Sequence, residues 1–255
     1  MLIDIINRVL QKYRFLKLIV GKSNKLILSL FLRPGFKISK QIQKLYIKSS
    51  SLDDWYFNNN LPDFYDQNYN LYSWITNPNN NHFVVTPSLA RLFLRPEDIV
   101  LDIGCGDGTI SHLFFTDIAS KVDAVDVSTK AIERAKKNYF SNYKLNFLNI
   151  NILDLEREAD SYDLIFWCDS MDYFTKDEIQ KIYEFIKQVL KKDGVLVIKT
   201  PLTEHNPVLT DKGMKSFVSN VEELTKELRE HFDIVLSNST IYNFRTDLDF
   251  VLKNK

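Results

Sequence analysis

Leu101-Asp102-Ile103-Gly104-Cys105-Gly106-Asp107-Gly108-Thr109 decides the fold of this 255-residue chain. Apolar residues from Ile99 to Ile103 lead into glycine at every second position, 104, 106 and 108. A helix-compatible segment, Thr109 to Phe115, follows. An apolar strand that stops at a glycine-rich turn and feeds a helix brings backbone N–H groups close to a ligand.

The dinucleotide fingerprint G-x-G-x-x-G needs its third glycine at position 109, which is Thr109 here. Working outward, Val122 to Ser128 reads as a second short strand ending in an acid, Asp126, 22 residues past Gly104. In a βαβ unit, an acid about 20 residues on stands at the tip of the second strand and can accept hydrogen bonds from ribose hydroxyls. Ser128 is placed to cap a helix beginning near Lys130. Leu145–Asn149 reads as a third strand and Tyr162–Asp169 as a fourth. Thr175-Lys176-Asp177-Glu178 is a capping box, and Ile179, Ile182, Ile186, Val189 and Leu190 give the helix after it one apolar face. Asp193-Gly194 ends that helix, Val195–Lys199 is a fifth strand, and Phe232–Leu236 and Asp249–Leu252 are the last two.

The run Asp-x-Gly-x-Gly-x-Gly, with its acid two residues before the first glycine, and Asp126 at its separation from it, resemble the motifs of the class I S-adenosylmethionine (SAM) methyltransferases. The resemblance covers roughly residues 98–255, its motifs concentrated in the first part. It implies an α/β fold: a doubly wound, seven-stranded, mostly parallel sheet of order 3-2-1-4-5-7-6 with strand 7 antiparallel. It implies SAM as cofactor, held by Asp102, Gly104, Cys105, Gly106, Asp126, Val127, Asn151, Ile152 and Cys168. In the family an Asp after the third strand usually takes the adenine amino group. The matching residue here is Asn151, which can still accept through its carbonyl oxygen, and the Ile152 N–H follows for a ring nitrogen.

The chemistry implied is in-line displacement of a methyl group from a sulfonium, in which positioning does most of the work. Asp169, Asp172, Tyr173 and His205 follow strands 4 and 5, at the carboxyl edge where such sites form, and are the catalytic candidates. Some relatives carry an acid–His pair after strand 4; the matching pair here is Asp172-Tyr173, and Tyr is a poor base at neutral pH. The expected acceptor is a small molecule or a glycan/lipid-linked intermediate, methylated at oxygen. Two other classes stay open. A nicotinamide-dependent oxidoreductase is opposed by Thr109, where its fingerprint needs a third glycine. A non-catalytic SAM-binding or partner-binding protein would keep the glycines without turnover.

The net charge of zero hides an asymmetry: residues 1–50 carry 11 Lys and Arg against one acid, Asp4, so they are +10 and the remainder −10. Residues 1–50 are expected to be a basic helical N-terminal extension, residues 51–97 an aromatic, Asn-rich lid or substrate segment, and residues 98–255 the SAM-binding domain. Leu2, Ile5, Ile6, Val9, Leu10 and Tyr13 recur at helical spacing, and two readings of them stay open: a basic amphipathic helix on an anionic membrane surface, or a cap packed on protein. The first would make a cytoplasmic enzyme peripheral at the membrane. Tyr65, Tyr72 and Trp74 are lid candidates. An acidic core disfavours a nucleic-acid acceptor, which needs clustered basic charge. Cys105 and Cys168 are expected to be reduced thiols, and the scattered His residues offer no metal-ligand cluster.

Overall fold

The computed structural model describes residues 82–202, 215, 218–241 and 246–255. The basic extension 1–50, the aromatic segment as far as residue 81 with Tyr65, Tyr72 and Trp74, and His205 lie outside these residues.

Seven strands share one sheet: β1 (Ile99–Ile103), β2 (Lys121–Asp126), β3 (Leu145–Asn149), β4 (Tyr162–Cys168), β5 (Leu190–Leu202), β6 (Phe232–Ile241) and β7 (Thr246–Asn254). Their order is β3-β2-β1-β4-β5-β7-β6. The first five pair in parallel, and β7 lies antiparallel between β5 and β6. This is the expected architecture. The order turns back at β1, which lies between β2 and β4, and the crevice outside the carboxyl ends of strands at such a point is where open α/β sheets hold ligands.

Helices cover both faces, which is why the central strands read as nearly continuous apolar runs. Leu101, Ile103, Ile165, Trp167, Leu196 and Ile198 pack against α3 (Lys176–Val189) and α4 (Val221–His231). Val100, Leu164, Phe166, Val197 and Val251 face the other way, toward Ala90 of α1 (His82–Arg91) and Phe115. Phe115 closes a short helical segment of wide, π-type turns, Ser111–Phe115. Ser128 caps α2 (Thr129–Asn138), its hydroxyl accepting from the Ala131 N–H. Thr175 and Glu178 form the capping box of α3 as expected.

Several boundaries differ from the sequence expectation. Helix α3 ends at Val189, and β5 begins at Leu190 rather than Val195. Leu190 pairs with Tyr162 and Val195 with Leu164, so Asp193-Gly194 sit in a bulge of β5 instead of stopping the helix. Here a Cβ on Gly194 would lie 2.9 Å from the Lys191 carbonyl oxygen, while Lys191 Nζ reaches both Asp163 carboxylate oxygens at 2.8 Å. Strands β6 and β7 run longer than the apolar cores Phe232–Leu236 and Asp249–Leu252. The added part of β6, at the sheet edge, is polar and largely exposed, so backbone pairing extends it without an apolar pattern.

The capping box yields a stability prediction. Thr175→Ala leaves the Glu178 N–H without its side-chain acceptor at the exposed start of α3. It is expected to lower unfolding free energy by about 1 kcal/mol with an unchanged m-value, measured by urea denaturation.

Candidate functional site

The glycine turn runs from the end of β1, and its backbone could not be built from ordinary residues. Gly104 and Gly108 have φ of +76° and +74°. A Cβ on Gly108 would lie 2.4 Å from the Phe147 ring, so the turn can approach β3 only at a residue with no side chain. A Cβ on Gly104 would lie 2.6 Å from Ser170 Oγ, on the loop after β4. The Gly104 and Cys105 N–H groups both donate to the Val125 carbonyl, at 2.9 and 3.0 Å, tying the turn to the tip of β2.

Asp126, the last residue of β2, closes that tie. One carboxylate oxygen accepts from the Gly106 N–H and the other from the Ser128 N–H, both at 2.8 Å. The carboxylate is therefore aimed, half-buried, between the glycine turn and the start of α2. Val127 next to it is 43% exposed, an apolar surface at the strand tip. Asn149 stitches the neighbouring tip into place: its amide donates to the carbonyls of Asp126 and Val127, and its oxygen accepts from Thr129 Oγ1.

Asp102 lies beneath the turn and is 2% exposed. Ser111 Oγ donates to it at 2.5 Å, fastening β1 to the helical segment that follows the turn. Burial pushes its carboxyl up to about 7; the Ser111 hydrogen bond opposes this and the nearby Asp126 charge adds to it. Cys105 is buried, Cys168 half-buried, and both are free thiols. Burial pushes both thiols up, which keeps them protonated and unreactive at neutral pH.

Asn151 and Ile152 stand just past β3, next to Ile150, whose N–H donates to the Asp126 carbonyl at 3.1 Å. Asn151 Oδ1 accepts from the Leu153 N–H at 3.1 Å and so caps the short turn Ile152–Asp154. The Ile152 side chain is buried in the core.

The four catalytic candidates are not equivalent. Asp169 follows β4 with φ of +55°, and its carboxylate pairs with Lys199 Nζ at 2.6 Å. Lys199 is 2% exposed, stands 3.7 Å from Asp247, and lies 5.4 Å from the Phe83 ring centroid. Its charge holds that of Asp169, which makes Asp169 a poor proton acceptor. Asp172 and Tyr173 belong to the short turn Met171–Tyr173; Asp172 is buried and Tyr173 half-buried. His205 lies outside the described residues. The structure thus ties Gly104, Cys105, Gly106 and Asp126 together at the ends of β1 and β2, with Asp102 beneath the turn, Val127 beside it, and Asn151, Ile152 and Cys168 at adjoining strand ends. Sequence reasoning did not find Ser111, Asn149, Ser170 or Lys199, none of which carries a motif. Among the described residues, no three His, Cys, Asp or Glu side chains are grouped to hold a metal ion, and no helix is long and apolar enough to cross a membrane.

The arrangement fits the nucleoside end of SAM: a carboxylate at the tip of β2 for a pair of vicinal hydroxyls, a glycine turn that brings backbone close, and exposed apolar surface for a base. Comparison with known proteins agrees. Residues 100–194 match the family described as "Methyltransferase domain". The chain is 32% identical over 144 residues to the ribosomal protein L11 methyltransferase of Dictyoglomus thermophilum, covering 56% of this chain and 44% of that protein. It is 26% identical over 113 residues to human N-terminal Xaa-Pro-Lys N-methyltransferase 1, covering 44% and 51%. It spans about half the length of the curated relatives it matches. In fold it is similar to the N-methyltransferase NodS of Bradyrhizobium japonicum, solved with S-adenosyl-L-homocysteine (SAH), at a TM-score of 0.60 and 18% identity over 76% of this chain and 96% of that one. It is likewise similar to a SAM-dependent methyltransferase of Leishmania major, at a TM-score of 0.64 and 14% identity over 77% and 83%. With a strand order, a glycine turn and an Asp126 clamp that agree with these matches, this chain carries a class I SAM-dependent methyltransferase domain.

Proposed function

We propose that the protein binds SAM across the carboxyl ends of β1 and β2 and transfers its methyl group to an amine nitrogen of the acceptor. The observation that carries the cofactor assignment is the Asp126 carboxylate, held by two backbone N–H groups at the tip of β2. Bound SAM supplies a methyl group already activated on a positive sulfur. Asp126 accepts from the ribose hydroxyls. The glycine turn offers its backbone to the methionine end. Asn151 and the Ile152 N–H address the adenine edge, with Val127 beneath the ring. Ser170, packed against Gly104 and donating to the Ile103 carbonyl at 3.4 Å, fixes where the loop after β4 meets the turn.

Nitrogen, rather than the oxygen expected from sequence, is the assigned target for two reasons. A high-pKa oxygen needs a general base. The acid nearest the end of β4, Asp169, is neutralised by Lys199. A neutral amine carries its own lone pair and attacks without a base at the site, once its ammonium form has lost a proton to solvent. The relatives support this direction, since two are named as N-methyltransferases.

Three outcomes test the reading. Asp126→Ala should keep the fold by circular dichroism and weaken SAH binding by about 10–100-fold in isothermal titration, the scale of a lost hydrogen-bond pair to a charged group. An unchanged affinity removes the cofactor assignment. Asp102 is expected to couple binding to pH. A cationic ligand above it favours its carboxylate, so its pKa falls on binding and a proton leaves. SAM affinity should therefore rise as pH increases through about 7 and flatten in Asp102→Asn. Titrations at pH 6, 7 and 8 in two buffers of different ionisation enthalpy measure this. Finally, tritiated methyl transfer from SAM into an extract should disappear when amines are acetylated beforehand. Label that persists would return the target to oxygen.

A further inference from the structure

The turn between α2 and β3, residues 139–144, carries the two most exposed large apolar side chains among the described residues: Tyr143 is 92% exposed and Phe140 85%. The turn itself is firmly built. The Tyr139 ring stacks on that of His112, with centroids 4.3 Å apart. The Asn142 amide donates to His112 Nδ1 at 3.2 Å. Lys144 Nζ donates to the carbonyls of Thr116 and Ala119, at 2.8 and 2.9 Å, just past the segment Ser111–Phe115. These contacts set the turn against that segment, whose Leu113 is itself 44% exposed. Single exposed apolar residues are ordinary, but an ordered turn that holds two aromatic rings in water beside an exposed leucine marks a contact surface.

Charge selects the partner. Residues 130–144 hold five Lys or Arg against one acid, Glu133, a net +4 inside residues 51–255, whose total is −10. Lys136 and Lys137, at the exposed end of α2, come just before the two rings, and Lys144 comes just after them. Cations beside apolar side chains fit negative charge laid over hydrocarbon: ammonium groups meet lipid headgroups, and the rings enter the boundary beneath. Tyrosine suits that depth, since its ring is apolar and its hydroxyl stays wet. A nucleic acid is also anionic, but it engages rings by stacking bases on them, and Leu113 has no part in such a contact. The turn precedes Leu145, the first residue of β3, while the cofactor crevice lies past its last residue, Asn149. Surface and crevice are therefore on opposite edges of the sheet, about 15 Å apart along the strand, and contact at the turn leaves the crevice open.

We infer that the α2–β3 turn docks on an anionic lipid bilayer, with Phe140 and Tyr143 entering the headgroup boundary and Lys136 and Lys137 meeting lipid charge. The test uses the full chain with Ser141→Cys, an exposed position in the turn, carrying a nitrobenzoxadiazole dye. Cys105 is buried and Cys168 half-buried, and the unsubstituted chain treated with the same dye gives the blank. Vesicles of phosphatidylcholine and phosphatidylglycerol in equal parts should raise and blue-shift the dye emission saturably. Phosphatidylcholine alone should do so far more weakly. Each lysine near such a surface adds about fivefold in affinity, so Lys136→Glu with Lys137→Glu should raise the lipid midpoint at least about tenfold. Phe140→Ser with Tyr143→Ser should abolish the blue shift. No saturable response, an equal response to phosphatidylcholine alone, a midpoint moved less than about fivefold by the lysine pair, or a blue shift that survives without the rings overturns the docking surface. Vesicles that sediment the protein while the dye stays silent place the contact elsewhere in the chain and overturn it equally. A saturable response to polyuridylate but not to vesicles gives the surface to nucleic acid instead.

Discussion

One carboxylate holds the ligand end of this sheet together. Asp126 accepts from Gly106 on one side and Ser128 on the other, so a single side chain fixes the glycine turn against the entrance of α2. The turn contributes only backbone, because its glycines stand at positive φ, where a side chain would be strained and, at 104 and 108, would collide with a neighbour. A turn so constrained needs an outside anchor, and the tip of the adjacent parallel strand is the nearest rigid place for one. The Gly104 and Cys105 amides repeat the tie through the Val125 carbonyl. The crevice at the switch between β1 and β4 is thus shaped before any ligand arrives, which lowers the ordering cost of binding.

Around that anchor the acids divide by burial and partner. Asp102 is buried beside a neutral hydroxyl, and its proton is held to about pH 7. Asp169 emerges at the strand end beside a buried ammonium and keeps its charge paired. The two faces of β5 separate these functions: the alternation of side chains along a strand sends Lys199 toward α1 and Thr200 toward α3 and α4. A single strand end therefore carries a charge-locked network on one side and packs against two helices on the other.

Much of this was legible in the sequence, and the parts that were not share a cause. Buried parallel strands announce themselves as apolar runs, and the glycine run, Asp126, Ser128 and the Thr175–Glu178 box each depend on neighbours within a few residues or one βαβ unit. The start of β5 at Leu190 was hidden because its pairing with Tyr162, and the bulge that spaces it, are tertiary facts. The polar half of β6 has no pattern because it lies at an edge and is extended by backbone bonds to β7. Lys199 reads as an ordinary exposed lysine; only the register that sets it opposite Asp249, with Asp169 at the end of β4, makes it a buried ion. The catalytic candidates were chosen by position after a strand, and position alone could not show that Asp169 is paired with a buried lysine.

The same separation bears on acceptor recognition. A cofactor with a sulfonium and an ammonium favours negative potential at its site, yet free carboxylates at the reacting methyl would also hold an incoming amine in its unreactive ammonium form. Pairing Asp169 with Lys199 reduces the negative charge nearest the end of β4.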